Sequence, residues 1–276
     1  MNRLREGIAS ATHRLAEAGV PSPRFDAEEL AALSLGVDRR DLWRHDHAGE
    51  LFEAYVARRA GREPLQHITG RAHFRHLTLA VGPGVFVPRP ETEVVAEAAI
   101  AAARERSAPV VVDLCTGSGA IALSVAQEVP TATVHAVEAD PRAHAWAARN
   151  CSGSTVHLVC GDMGDAFPEL DGEVDVVVSN PPYIPVGARV RDPEVAEHDP
   201  PASLWSGDDG LDAVRVVERV AARLLRAGGH VVVEHADLQG EAAPAVLTAA
   251  GRWTDVRDHT DLAGRDRFVT AVRGTR

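Results

Sequence analysis

Val110-Val111-Val112-Asp113-Leu114-Cys115-Thr116-Gly117-Ser118-Gly119-Ala120-Ile121-Ala122 is the stretch on which the fold turns. Its β-branched opening reads as a strand buried on both faces of a parallel sheet. Small residues follow, then an apolar run that opens a helix. Gly117 and Gly119 let the backbone take positive φ and approach a ligand closely, and the helix N-terminus favours an anionic group. Strand, glycine turn and helix together predict an α/β domain with its ligand at a strand's C-terminal end.

The chain beyond the turn repeats this unit. A second strand over 133–137 ends in Glu138, and 138 − 117 places that acid 21 residues past Gly117. A carboxylate there accepts hydrogen bonds from ribose hydroxyls. A third strand, Val156-His157-Leu158-Val159-Cys160, leads into Gly161-Asp162-Met163. Asp162 is positioned for an adenine amino group and Met163 for the ring face. Gly117-x-Gly119-x-x-Ala122 meets the dinucleotide fingerprint, which does not separate NAD from S-adenosylmethionine.

The fourth strand distinguishes them. Val176-Val177-Val178-Ser179 runs into Asn180-Pro181-Pro182-Tyr183. Two prolines stop the ladder and hold the residues before them extended, so the strand ends in a stiff elbow. It carries a primary amide, with one acceptor oxygen and an NH2 donor pair, beside an aromatic ring. That amide and a neighbouring backbone carbonyl suit the two hydrogens of a substrate NH2 group. Hydride transfer does not need such a clamp, whereas methyl transfer to an NH2 nitrogen does. Asp113, at its strand end, is expected to reach a ligand ammonium group. Strands at 230–234 and 267–272, with a helix over 211–225 between the fourth and fifth, complete a doubly wound sheet.

The N-terminal part has a different character. Leu4, Ile8, Ala11, Leu15 and Ala18 recur at helical spacing, a second helix opens at Ser22-Pro23 and closes at Gly36, and a third ends at Gly61. The Arg39-Arg40 and Arg58-Arg59 pairs read as solvated faces. From 74 to 87 the period changes to two, broken by Gly82-Pro83-Gly84, which predicts a β-hairpin. Pro88-Arg89-Pro90-Glu91-Thr92-Glu93 then starts a helix, with Thr92 as its N-cap. These features divide the chain into a helical domain over 1–70, a hairpin over 71–88 and the α/β domain over 89–276.

With a hydrophobic fraction of 45% and a net charge of −11, the 276-residue chain has a real core and a charge balance that argues against duplex DNA or RNA as its main partner. Three cysteines without a C-x-x-C pair fit a reduced cytoplasmic protein. There is no apolar signal core or membrane-spanning run. His45-Asp46-His47 lacks further ligands at metal-binding spacing, and no metal is expected.

Gln66-His67-Ile68-Thr69-Gly70, Val87 to Glu93, Asp113 to Ala122, Ser179 to Pro185 and Val233-Glu234-His235 occur in that order. In this they resemble the HemK/PrmC family of release factor glutamine methyltransferases along nearly the whole chain. The resemblance implies a seven-stranded, Rossmann-like class I methyltransferase domain with an antiparallel last strand. It also implies S-adenosylmethionine as methyl donor, S-adenosylhomocysteine as product, and the glutamine of a release factor's Gly-Gly-Gln loop as acceptor. Carried over by position, Asp113, Cys115, Thr116, Gly117, Ser118, Gly119, Glu138, Asp162, Met163 and Asn180 form the cofactor site. Asn180, Pro181, Pro182 and Tyr183 form the catalytic clamp, with Arg89 and Glu93 as further substrate contacts. The helical domain is expected to recognise the substrate, and the chain to act as a monomer without binding DNA. The alternative is an adenine-N6 methyltransferase of DNA or RNA, which shares the clamp. Cys115 stands where many members have glycine, Glu138 where aspartate is usual, and Met163 where an aromatic is usual. The loop over 184–206 is expected to be mobile until substrate arrives.

Overall fold

The computed structural model describes residues 3–275. Its elements begin with helices α1 (Arg3–Glu17), α2 (Pro23–Leu35), α3 (Phe52–Ala60) and α4 (Leu65–Thr69). A two-stranded hairpin, β1 (Arg71–Phe74) and β2 (Leu77–Ala80), leads to α5 (Thr92–Arg104) and β3 (Val110–Leu114). Then come α6 (Ala120–Glu128), β4 (Thr133–Glu138), α7 (Pro141–Cys151), β5 (His157–Cys160) and β6 (Val174–Ser179). The last third holds α8 (Pro193–His198), α9 (Asp212–Leu224), β7 (Leu225–Glu234), α10 (Ala242–Ala249), β8 (Trp253–Thr260) and β9 (Asp266–Arg273).

Two compact units result. One holds the residues up to Arg71 together with Val190–His198; the other holds Ala72–Arg189 and the chain from Asp199 onward. In the first unit Leu4, Leu15, Leu30, Val56 and Ile68 share one apolar core. Beside it lies an ion cluster that the sequence reading misjudged. Arg58 faces solvent and pairs with Glu63, but Arg59 is only 3% exposed. It donates to Asp26 Oδ2 at 2.7 Å and to Glu194 Oε1 at 2.7 Å, and Arg62 donates to the same Glu194 oxygen at 2.9 Å. The cause is helical phase: Arg59 follows Phe52 and Val56, both buried, at spacings that put all three on one face. Burial raises the pKa of Asp26 and outweighs the opposing pull of Arg59.

The second unit is a seven-stranded sheet in the order β5-β4-β3-β6-β7-β9-β8. Pairings from β5 to β7 are parallel, and β9 runs antiparallel to both β7 and β8. This is the seven-stranded class I arrangement with an antiparallel last strand. One strand, β8, was not read from the sequence. It is an edge strand whose middle and C-terminal residues, Thr254 to Thr260, lack the apolar alternation of a half-buried strand. Every residue of β6 is buried, as its β-branched run requires. From Ala72 onward the hairpin contributes Phe74, Leu79 and Val81 to the core formed with α5 and α6.

Thr92 is not the N-cap of α5. Glu91 holds that position without a side-chain cap bond, and Thr92 lies inside the first turn, 4% exposed. The segment after the elbow is closed at its base. Ile184 and Ser206 pair across its base, with Ile184 N donating to Leu204 O at 2.8 Å and Ser206 N to Ile184 O at 2.9 Å. Glu194, farther along, is held by Arg59 and Arg62 in the helical unit.

Candidate active site

Strand order reverses direction between β3 and β6, which lie side by side with Leu114 paired to Ser179. Such a switch point opens a crevice beyond the strand ends. The glycine turn follows β3 and the elbow follows β6, so the two motifs meet there. Ser179 Oγ fastens them by donating to Leu114 O at 2.6 Å.

The turn is braced from beneath by Asp113, which is 0% exposed. Its Oδ2 accepts from Thr116 Oγ1 at 2.5 Å and from Ala122 N at 3.1 Å, tying the turn to the first helical residues. Burial pushes this carboxyl up to about 7, against the pull of those two donors. Oδ2 thus braces the turn, while Oδ1 is buried without a hydrogen-bond partner among the described residues. Cys115 has φ of +64°, a glycine-like conformation, and its Sγ donates to Met163 Sδ at 3.4 Å. Burial raises the pKa of the thiol, which acts as a neutral packing group. Gly117 has φ of +59°, and a Cβ there would point into open space. Thr116, Ser118 and Gly119 are buried in the turn itself.

Glu138 spends one bond from each oxygen on this scaffold. Oε2 accepts from Gly117 N at 2.9 Å and Oε1 from Asp140 N at 2.8 Å. Each oxygen keeps a lone pair. Burial raises its pKa, and the backbone donors oppose that rise. Asp162 lies at the end of β5 with its Oδ1 accepting from Gly164 N at 2.7 Å, and the rest of its carboxylate faces solvent. S-adenosylmethionine, the methyl donor that the resemblance implies, fits these residues. The open space above Gly117, the paired acceptors of Glu138 and the half-buried Met163 supply room for backbone approach, a ribose acid and an adenine contact.

The elbow carries the other half of the site. Asn180 Nδ2 donates to Thr92 Oγ1 at 3.2 Å. That single bond leaves Asn180 Oδ1 as an acceptor, and no described residue donates to it. Pro181 is buried, so the adjacent backbone is fixed. Tyr183 is pinned at both ends. Its hydroxyl donates to Glu234 Oε1 at 3.4 Å, and Gln239 Nε2 donates to its carbonyl at 3.1 Å. Burial raises the Tyr183 hydroxyl well above the ordinary phenol range. Glu234 ends β7, is 2% exposed, and is pushed by burial up to about 7.

Two expected substrate contacts are engaged elsewhere. Arg89 Nη2 donates to Asp199 Oδ2 at 2.8 Å, and its guanidinium lies 5.1 Å from the Phe86 ring centre. Glu93 Oε1 accepts from Arg75 N at 3.0 Å at the hairpin turn. Adjacent residues on a helix point about 100° apart, by the 3.6-residue turn, so Thr92 faces the elbow and Glu93 faces the hairpin. Thr92, Glu234 and Gln239 were missed as members of the site. A lone acid ending the run Val231-Val232-Val233-Glu234 was the readable sign for one of them.

Comparison with known proteins agrees with this geometry. Residues 6–70 match the model of the PrmC N-terminal domain, and residues 77–196 match the methyltransferase small domain. A release factor glutamine methyltransferase of Streptomyces coelicolor is 58% identical, with 98% of each chain covered. One of Mycolicibacterium smegmatis is 53% identical over 99% of each chain. A 4-amino-L-phenylalanine/4-methylamino-L-phenylalanine methyltransferase of Streptomyces pristinaespiralis is 44% identical, covering 98% of this chain and 95% of its own. With a relative this similar over its full length, and with the glycine turn and the Asn-Pro-Pro-Tyr elbow joined in one crevice, the chain belongs to the release factor glutamine methyltransferase family.

Proposed function

We propose that the protein transfers a methyl group from S-adenosylmethionine to the side-chain amide nitrogen of the glutamine in the Gly-Gly-Gln loop of a peptide chain release factor. The observation that carries this is the Asn180 amide, held through Nδ2 with its oxygen left as an acceptor. Asn180 Oδ1 and the Pro181 carbonyl take the two hydrogens of the substrate NH2 group and turn its nitrogen toward the cofactor turn. Tyr183, fixed at hydroxyl and carbonyl, packs on the planar amide. The bound cofactor supplies an electrophilic methyl group on sulfur. As the new nitrogen–carbon bond forms, the carbon–sulfur bond breaks and the nitrogen sheds one proton to water. An amide nitrogen is a poor nucleophile, so the site works by positioning and by electrostatic fit.

Cysteine to glycine in the turn, Cys115 to Gly119, with Glu138, Asp162 and Met163, holds the cofactor, and Asp113 shapes that turn. Arg89 and Glu93 act one step back from the substrate, by fastening Asp199 and the hairpin. The helical domain over 1–70 recognises the release factor, and the protein acts as a monomer. Among the described residues no helix is long and apolar enough to cross a membrane.

The test is labelled methyl transfer to purified release factor, duplex DNA and 4-aminophenylalanine side by side. Label is expected on the release factor glutamine. Label on DNA or on the aromatic amine alone overturns the acceptor. Asn180→Ala should lower kcat by about 100-fold or more, with cofactor affinity held within a few-fold. Near-native turnover of that variant would refute the clamp.

A further inference from the structure

We infer that Gln239 is a positioning residue of the acceptor clamp: its side-chain amide fixes the joint of the elbow that the prolines leave soft, and so sets where the Tyr183 ring stands beside Asn180. This deepens the proposed function and rests on its reading of the elbow.

The need for such a residue follows from the backbone. Pro181 and Pro182 have φ set by their rings, and Asn180 and Pro181 are held extended by the proline that follows each. Covalent structure therefore shapes the chain as far as φ of Pro182. From Ile184 onward pairing shapes it: Ile184 N donates to Leu204 O at 2.8 Å, Ser206 N to Ile184 O at 2.9 Å, and Val186 N to Gly207 O at 2.8 Å. The joint between the two regimes is Tyr183. Its ring hydroxyl is a weak tether, 3.4 Å from Glu234 Oε1. Its carbonyl is the firmer one, and Gln239 holds it.

Gln239 does so with an amide that can sit only one way. Nε2 donates to Tyr183 O at 3.1 Å and to Asp209 O at 3.3 Å, and Oε1 accepts from Ala236 N at 2.9 Å. All three partners are backbone groups, each with a single hydrogen-bonding sense. Turning the amide end for end would set donor against donor once and acceptor against acceptor twice. The residue is 7% exposed, so water competes little for these bonds. The partners belong to three segments that meet only in the fold: the stretch after β7, the elbow after β6, and the limb that returns toward α9. Gly210 makes the meeting possible. A Cβ there would lie 2.4 Å from Tyr183 O and 2.8 Å from Gln239 Nε2, so only glycine lets the returning limb reach the same amide.

The experiment has a spectroscopic arm that needs neither cofactor nor acceptor. The chain has two tyrosines, Tyr55 and Tyr183, and only Tyr183 is followed by isoleucine. Carbonyl-13C tyrosine combined with 15N isoleucine therefore gives a single carbon–nitrogen correlation, from the Tyr183–Ile184 peptide. Gln239→Met, similar in length but unable to donate, should move that signal upfield in carbon. Gln239→Glu keeps an acceptor for Ala236 N, yet when ionised has no donor for either carbonyl. Its signal should move likewise, and return toward the native position as the pH is lowered and the carboxyl takes a proton. In the kinetic arm, both variants above neutral pH should lower kcat by at least about 10-fold, within the roughly 100-fold that a 1 Å misplacement can cost. The KM for release factor and the cofactor Kd should stay within about 3-fold. The deficit of Gln239→Glu relative to native protein should shrink as pH falls, and that of Gln239→Met should not. A merely structural role predicts a lower Tm with native kcat in both variants. That result would overturn the inference, as would an unmoved Tyr183–Ile184 signal. If native protein labels no release factor, the acceptor assignment falls, while the carbonyl signal still decides whether Gln239 holds the elbow.

Discussion

Replacing Asp113 by asparagine separates the bracing of the glycine turn from the charge of the brace. In the fold this carboxyl titrates at about 7, against an ordinary 3.8. The folded state therefore binds a proton over a pH range in which the unfolded chain has released it. Its contribution is fully present below 3.8 and is lost as pH rises through about 7, at up to about 1.4 kcal/mol per pH unit. Asparagine keeps a carbonyl oxygen for Thr116 Oγ1 and Ala122 N but cannot ionise, so this slope should vanish while the turn persists. Alanine removes the acceptor and strands two buried donors, at about 1–3 kcal/mol each. That is a large part of a total of about 5–15 kcal/mol for a typical domain. Urea unfolding followed by circular dichroism at about pH 5, 6, 7 and 8 gives all three curves, and calorimetry gives the cofactor Kd of each. The expected result is a flatter pH dependence for Asp113→Asn with cofactor binding retained. For Asp113→Ala we expect a large loss of both stability and binding. Parallel native and Asn curves would refute the argument that a buried, ionisable brace holds the turn.

Two further outcomes follow from the packing. Arg59→Met leaves Asp26 as an uncompensated buried acid and should cost the helical unit about 3–5 kcal/mol. Hydrogen exchange within Pro193–His198 should rise at the same time, and unchanged protection there would contradict the Glu194 anchor. Gly210→Ala places a Cβ 2.4 Å from Tyr183 O at φ of +77°, so kcat and Tm should both fall. Gly172→Ala, at φ of +74° with nothing within 4 Å, bears the backbone strain without the clash and should spare kcat. Equal kinetic losses in the two variants would show that strain, and not displacement of the elbow, is responsible.

What was readable in the sequence was local. The glycine turn and the elbow each occupy a dozen residues or fewer, and their backbone conformations follow from residue type: glycine for positive φ, proline for a stopped ladder. Both are where the motifs placed them. What was not readable depends on pairs far apart in the chain. Thr92 looked like a helix cap because caps are chosen by near neighbours, while its hydroxyl accepts from Asn180, 88 residues away. Arg59 looked solvated because it sits in a charged run, and its partner Glu194 lies 135 residues on. The enclosure of Asp113 was not legible either, because it is set by elements packed around the strand end and not by the motif itself.

The helical unit is discontinuous, and this sets an order of events during synthesis. Its four N-terminal helices are complete once Thr69 has been made, yet Glu194 is added 194 − 69 = 125 residues later. At about 5–20 residues per second, that is a delay of about 6–25 s. Through this interval Arg59 has Asp26 as its carboxylate partner but lacks the second, and Arg62 lacks the same anchor. The nascent domain is thus a partly neutralised cation site waiting for its own downstream acid, and it is closed by the stretch of chain that leads away from the elbow.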